Sequence, residues 1–225
     1  MKPMNEKQLA TLRRHMVEVV DIHVERMAEE LGRDRLDERL RRAMLRVPRH
    51  LFVPPQLAGV AYHDGPLPIG FDKTLSQPFI GALMIELLEV EPGQRVLEVG
   101  TGLGYQAALL AELGVELHSV EIVEEFAAAA EQRLRRLGFL GAAVRVGDGS
   151  RGWAEHAPFD RILVTAAAYS PPQPLLAQLA PGGRMVIPLG GREVQQLSVA
   201  VKTGEDEVEI EELLPVRFTR LETGG

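Results

Sequence analysis

Residues 94–105 read Gln94-Arg95-Val96-Leu97-Glu98-Val99-Gly100-Thr101-Gly102-Leu103-Gly104-Tyr105. An aliphatic run, Arg95–Val99, has the character of a buried strand, and a glycine-rich turn follows it directly. Tyr105–Leu113 then reads as a helix ended by Gly114. Strand, glycine turn and helix make the opening unit of a parallel sheet, and the turn lies where such sheets bind ligands. The alternation continues downstream. Glu116–Ile122, Ala143–Val146, Arg161–Thr165 and Arg184–Pro188 read as further strands, the last after a turn at Gly182-Gly183. Glu124–Leu137, ended by Gly138, and Pro174–Leu179 read as helices. The pattern predicts an α/β fold: a doubly wound, Rossmann-like, mostly parallel sheet. Gln196–Lys202 and Val208–Leu214, joined at Thr203-Gly204-Glu205-Asp206, predict a C-terminal antiparallel hairpin. The acidic run 205–212 predicts a charged outer face on its edge strand.

Upstream, a helix is expected over Pro78–Leu88. Residues 52–74 are rich in Gly and Pro, and a loop that long inside a compact domain points to function. Leu9, Leu12, Met16, Val20, Met27 and Leu31 predict one helix over 7–31 stopped by Gly32. Asp34 is expected to cap a second helix limited by Pro48. The arginines between Arg33 and Arg49 read as that helix's solvated face. The chain thus divides into an N-terminal helical segment, 1–50, packed on a domain, 51–225, with an active-site loop at 52–77, all one structural unit.

Composition narrows the chemistry. The 225 residues include no cysteine, which excludes disulfides, thiolate metal sites and cysteine nucleophiles. Lys+Arg total 25 against Asp+Glu 32, a net charge of −7 that argues against nucleic-acid binding. Neither a signal-peptide core nor a membrane-length apolar run is visible, so a cytoplasmic protein without membrane attachment is expected. No His/Asp/Glu cluster suggests a metal.

The glycine turn departs from the dinucleotide fingerprint. It reads G-x-G-x-G, with Tyr105 where the third glycine is due. Glu98, two residues ahead, would oppose a pyrophosphate and suit a cation. S-Adenosyl-L-methionine carries a sulfonium and an ammonium and no phosphate. Glu121, 21 residues beyond Gly100, ends the second strand where an acidic side chain accepts from ribose hydroxyls, and Asp148 in Gly147-Asp148-Gly149 is placed for the adenine amine. Singly these read as a turn, a surface carboxylate and another turn. In order, each after its own strand, they resemble the cofactor site of class I methyltransferases. The Asn/Asp-Pro-Pro-aromatic motif of nucleobase amino methylases is missing; Thr165-Ala166-Ala167-Ala168-Tyr169 stands there.

Thr74-Leu75-Ser76-Gln77-Pro78 is more specific still. With Val47-Pro48-Arg49, Phe52-Val53-Pro54, Ala61-Tyr62-His63-Asp64, Pro66–Gly70, Gly152-Trp153, Ala157–Asp160, Gln178–Arg184 and Ile187–Gly190, it resembles the protein-L-isoaspartate O-methyltransferase family over about two-thirds of the chain. The resemblance implies methyl transfer from S-adenosyl-L-methionine, with S-adenosyl-L-homocysteine as product, to the α-carboxylate of isoaspartyl proteins and peptides. With no ligand cluster in the sequence, no metal is expected, and a monomer is expected. The resemblance assigns Ser76 as the residue orienting the carboxylate, a role that sits beside a plain reading as helix N-cap. It assigns Thr74, Leu75, Ser76, Glu98, Gly100, Thr101, Gly102, Gly104, Glu121, Asp148 and Gly149 to the cofactor. A carboxylate, pKa about 3–4, is already ionised at neutral pH and needs no general base. Alignment alone contributes about 7–11 kcal/mol in favourable cases. Four positions, in three places, depart from the family pattern: Leu103 for a serine, Tyr169 for a proline, and Thr219-Arg220 for Val-Pro. A related O-methyltransferase acting on another carboxylate, or a cofactor-binding protein without catalysis, are the alternatives.

Overall fold

The computed structural model describes residues 4–204 and 207–224. Helix α1 spans Glu6–Arg26, and Asn5 and Gln8 cap it reciprocally. The single helix expected over 7–31 is interrupted at Met27, leaving a one-turn α2, Ala28–Leu31, before Gly32. Helix α3 spans Glu38–Arg46. Its cap is Asp37, not Asp34: the Asp37 carboxylate accepts from the Arg39 and Leu40 amides, while Asp34 faces solvent beside Arg35. Leu36 is buried immediately before the cap, which sets where the helix begins.

The stretch expected as a loop, 52–74, holds two 3-10 turns, Arg49–Phe52 and Pro55–Val60, and a small hairpin of β1 (Leu67–Gly70) and β2 (Lys73–Leu75). The hairpin turns through Phe71-Asp72, both at positive φ. Then follow α4 (Pro78–Leu88), β3 (Arg95–Val99), α5 (Tyr105–Glu112), β4 (Glu116–Glu121), α6 (Glu124–Arg136), β5 (Ala143–Val146) and β6 (Phe159–Val164). The chain ends with α7 (Gln173–Gln178), β7 (Leu179–Gly190), β8 (Gln195–Lys202) and β9 (Val208–Val216). Gly182-Gly183 does not separate a helix from a strand. Between pairings Phe159–Leu179 and Arg161–Arg184 the extra residues bulge out of one long β7. Of the expected β8–β9 turn, Glu205 and Asp206 lie outside the described residues.

The main sheet has the order β5-β4-β3-β6-β7-β8-β9, parallel through β7 and antiparallel beyond it. Strand alternation sorts its side chains into two cores. Val96, Leu117, Leu163 and Val186 pack under α1 and α3–α6; Leu97, Val99, Ile162 and Met185 pack under α7 and the segment carrying Trp153. The core under the larger helical layer begins at Leu9 in α1, so the N-terminal helices share it with the sheet. The arginines of the α3 region meet Glu86, Glu91, Asp21, Glu38 and Glu112, which neutralises the basic stretch. The chain runs β3, β4, β5 in one direction and then crosses back to β6 on the other side of β3, leaving a crevice at the carboxyl ends of β3 and β6.

Candidate active site

At that crevice the backbone is tightly crossed. Gly100 donates to Val120 O (2.8 Å), and the Thr165 hydroxyl, just after β6, donates to Gly100 O (2.7 Å). Gly100 has φ +93°, and a Cβ there would stand 2.4 Å from Thr165 Oγ1, so only glycine fits. Gly102 donates to Glu121 Oε2 (2.7 Å) and Val123 donates to Glu121 Oε1 (3.0 Å), which holds the Glu121 carboxylate against the turn. The Thr101 and Ser119 hydroxyls are 2.5 Å apart, and Ser119 donates to Glu98 Oε2 at 2.5 Å.

Glu98 differs from its expected role as a charge facing a cation. It is fully buried behind the turn, and its Oε1 has no partner among the described residues. Burial, with a smaller contribution from the neighbouring Glu121 charge, pushes its carboxyl up to about 8 against the Ser119 hydrogen bond, so it is largely neutral at pH 7.

A cleft opens in front of this turn. Val99, Gly100, Gly102, Glu121 and Gly149 form its inner wall, and Ile69, Lys73 and Thr74 of the hairpin face them. Gly149 cannot carry a side chain, since a Cβ would lie 2.4 Å from Val99 Cγ1. Asp148 beside it is engaged elsewhere, by the Ser150 amide (2.9 Å), the Ser150 hydroxyl (2.6 Å) and the Gly224 amide (3.0 Å). Its burial would raise its pKa, but these bonds and Arg151 outweigh that and hold it below the usual carboxylate range. The outer wall is the C-terminal segment, Thr219–Glu222. It is laced to Ala167 by backbone bonds of 2.8 and 2.9 Å and to Lys73 through Glu222.

Ser76 lies next door. With Pro66, Gln77 and residues 215–218 it lines a second, open groove, and Thr74 is common to both cavities. Helix α4 is capped at Gln77 without a side-chain bond, so Ser76 is not its N-cap. The Ser76 hydroxyl has no hydrogen-bond partner among the described residues. Its carbonyl is pinned by Arg49, which is 1% exposed, donates to Ser76 O (2.7 Å) and Ala61 O (2.8 Å), and lies 4.9 Å over the Tyr105 ring. Leu75 turns into the core. Thus the structure gathers Gly100, Gly102, Glu121, Gly149 and Thr74 on one cleft and places Ser76 beyond Thr74. Glu98, Thr101, Gly104, Leu75 and Asp148 stand behind or beside that wall. Arg49 was missed because it ends an arginine-rich stretch, though Val47-Pro48-Arg49 marks the place. Ser119 and Thr165 carried no signal beyond their positions on a strand and after one.

A glycine turn after the central strand and a carboxylate after its neighbour, both facing one cleft of a mostly parallel sheet, define a class I methyltransferase fold. The chain belongs to the protein-L-isoaspartate(D-aspartate) O-methyltransferase family, whose model matches residues 22–224. It is 49% identical over 219 residues to a protein-L-isoaspartate O-methyltransferase 1 of a Polaromonas species, covering 97% of this chain and 93% of that one. It is 55% identical to the enzyme of that name from Anaeromyxobacter dehalogenans, covering 87% and 95%. A solved protein-L-isoaspartate O-methyltransferase aligns over 95% of this chain and 66% of its own, with TM-score 0.80 and 27% identity. A Plasmodium falciparum structure solved with S-adenosyl-L-homocysteine shares the fold, at TM-score 0.74 and 24% identity over 84% of this chain and 92% of that one.

Proposed function

We propose that the chain transfers a methyl group from S-adenosyl-L-methionine to the free α-carboxylate of L-isoaspartyl residues in damaged proteins and peptides, with S-adenosyl-L-homocysteine as product. One observation carries the reading: the Ser76 hydroxyl, without a hydrogen-bond partner among the described residues, lines an open groove that shares Thr74 with the cleft. The cleft fits this cofactor. Glu121 suits ribose hydroxyls, the glycines allow close backbone approach, and Gly149, where a Cβ would meet Val99, leaves room for a flat base beside Asp148. When bound, the cofactor supplies an electrophilic methyl on a sulfonium sulfur.

The chain supplies position. Arg49 holds the Ser76 backbone, and the Ser76 hydroxyl donates to one oxygen of the carboxylate so that the other faces the cleft. The hairpin and residues 219–222 exclude water. No proton has to move, because the acceptor is already an anion. His50, close by, is engaged at 2.7 Å with the Tyr62 hydroxyl and is held below its ordinary pKa by burial and the Arg13 charge. In the ester formed, methoxide is a better leaving group than the oxide that the free carboxylate would have to expel. The following backbone nitrogen displaces methanol to give a succinimide, and hydrolysis returns part of it to normal aspartate.

We further infer a cytoplasmic monomer acting apart from nucleic acid and membranes, with 1–50 and 51–225 working as one unit around the active-site loop 52–77. The net charge of −7 supports the lack of nucleic-acid binding, and no helix among the described residues is long and apolar enough to cross a membrane. The described residues hold no cluster of three or more potential metal ligands. The test is methyl transfer to paired peptides differing only in Asp against isoAsp. Methylation of the isoaspartyl member alone is expected; equal methylation of both overturns the reading.

A further inference from the structure

Two of the positions that depart from the family pattern meet in space. The Arg220 guanidinium carbon lies 3.6 Å from the centroid of the Tyr169 ring, although 51 residues separate them. Its Nη1 also donates to Gly190 O at 2.6 Å. The backbone on either side is clamped, since Thr219 O accepts from Ala167 and Leu221 donates back to Ala167 O. An arginine restrained at its backbone, along its plane and at one nitrogen has little rotamer freedom left to lose on binding.

That guanidinium has no acidic partner. Among the described residues no carboxylate lies within salt-bridge distance of it, whereas Lys73, the other cation on the cleft, is neutralised by Glu222. Arginine carries five donors in a fork that matches a carboxylate, and one bond to a carbonyl leaves most of them open. Arg220 is half-buried on the outer wall of the cleft, and Tyr169 is 71% exposed beside it. The same segment, two residues earlier, lines the groove containing Ser76. A peptide presenting its isoaspartyl carboxylate at Ser76 therefore runs past Arg217 in the groove itself and towards Arg220, a second cation that is held in place and has no acidic partner among the described residues.

We propose that Arg220, stacked on Tyr169, is a specificity-determining residue that takes the carboxylate of an acidic side chain adjacent to the isoaspartyl residue. This rests on the isoaspartyl reading above. The cation selects peptides by charge, and Tyr169 holds it in the plane that makes the contact bidentate.

The experiment compares isoaspartyl peptides carrying Glu or Gln immediately before or immediately after the isoAsp, with wild type, Arg220→Gln and Arg220→Pro. Proline is the residue usual in the family, and the Arg220 amide takes part in neither backbone bond to Ala167, so it suits the backbone there. In wild type, Glu at one of the two positions is expected to raise kcat/KM about three- to fivefold over Gln, through KM. This is the scale of a well-ordered pair at a wet rim, and it shrinks as salt is added. In both variants the Glu-to-Gln ratio falls to about one. A wild-type ratio of one at both positions overturns the proposal, as does a preference that survives in both variants. Cofactor binding, measured by calorimetry, separates the other use of the cation: affinity lost in the variants with the Glu-to-Gln ratio intact assigns Arg220 to the cofactor. A wild type that binds cofactor and methylates none of the four peptides overturns the isoaspartyl reading itself.

Discussion

The wall of the cofactor cleft draws its key groups from Glu98 to Glu121, two adjacent parallel strands and the turn between them. The groove beside it draws on Pro66–Gln77 and on residues 215–218, about 140 positions away. The first is buried and cross-braced, with each glycine and carboxylate tied to a backbone or a neighbouring hydroxyl. The second is open, and the Ser76 hydroxyl that lines it has no hydrogen-bond partner among the described residues. A site that must hold one invariant small molecule can be built rigidly from local sequence. A site that must accept many peptide contexts is assembled from surface segments that a few residues can retune, and this chain's departures from its family at Thr219 and Arg220 fall on the outer wall of the cleft just beyond that groove, with Tyr169 stacked on Arg220.

The comparison is broken most severely at Gly100. A methyl group there has to displace the Thr165 hydroxyl, 2.4 Å from the new Cβ, at a φ of +93° that alanine rarely adopts. Gly100→Ala is expected to weaken S-adenosyl-L-methionine binding by roughly 100-fold or more, the scale of about 3 kcal/mol of strain and displaced backbone. Calorimetry on the folded variant is the check, with a near-unchanged affinity showing that the wall is more plastic than its bonds suggest. Gly102 is the milder site, since a Cβ there meets only Ile69 at 3.5 Å.

At the other end, Ser76→Ala removes one hydroxyl and little else. A hydrogen bond to a charged acceptor is worth about 1.5–3 kcal/mol, so kcat/KM on an isoaspartyl peptide is expected to fall roughly 10- to 150-fold. Because Gln77 rather than Ser76 sits at the helix cap, the melting temperature and the cofactor affinity should both stay near those of the wild type. Activity retained by the alanine variant would remove Ser76 from the reaction; a parallel loss of cofactor affinity would show the two cavities to be coupled through Thr74.

Much of the first region was legible in the sequence because its signals are local: an aliphatic strand, a glycine turn and a carboxylate at the next strand end. The same locality explains the errors. Asp34 and Asp37 offer the same capping chemistry, and burial of Leu36 decides between them. The β1–β2 hairpin escaped notice because its strands are four and three residues long, one contains Pro68, and its tight turn uses Phe71-Asp72 where glycine or asparagine is usual. Arg49 ends a run of surface arginines, and Val47-Pro48-Arg49 marks its place without telling that it is the buried one. Tyr169 and Arg220 were visible as departures, but their pairing is a fact of the tertiary structure that residue-by-residue comparison does not hold.

The smallest effect concerns Glu98 and tests how closed the first region is. Its carboxyl is raised from an ordinary 4.5 to about 8, chiefly by burial. Below about pH 4.5 it is protonated in both the folded and unfolded chains and costs nothing. As pH rises towards 8 the unfolded chain releases this proton while the folded one keeps it, so the unfolded state binds fewer protons and stability falls. The slope from this group is at most about 1.4 kcal/mol per pH unit, and it flattens once the folded carboxyl also ionises. Glu98→Gln keeps an acceptor for Ser119 and removes the titration. Denaturant unfolding of the ligand-free proteins at pH 5, 6, 7 and 8 should therefore show the glutamine variant gaining on the wild type with each step upward. A difference that stays constant across that range would mean water reaches Glu98, and the contrast between a sealed cofactor wall and an open peptide groove would have to be redrawn.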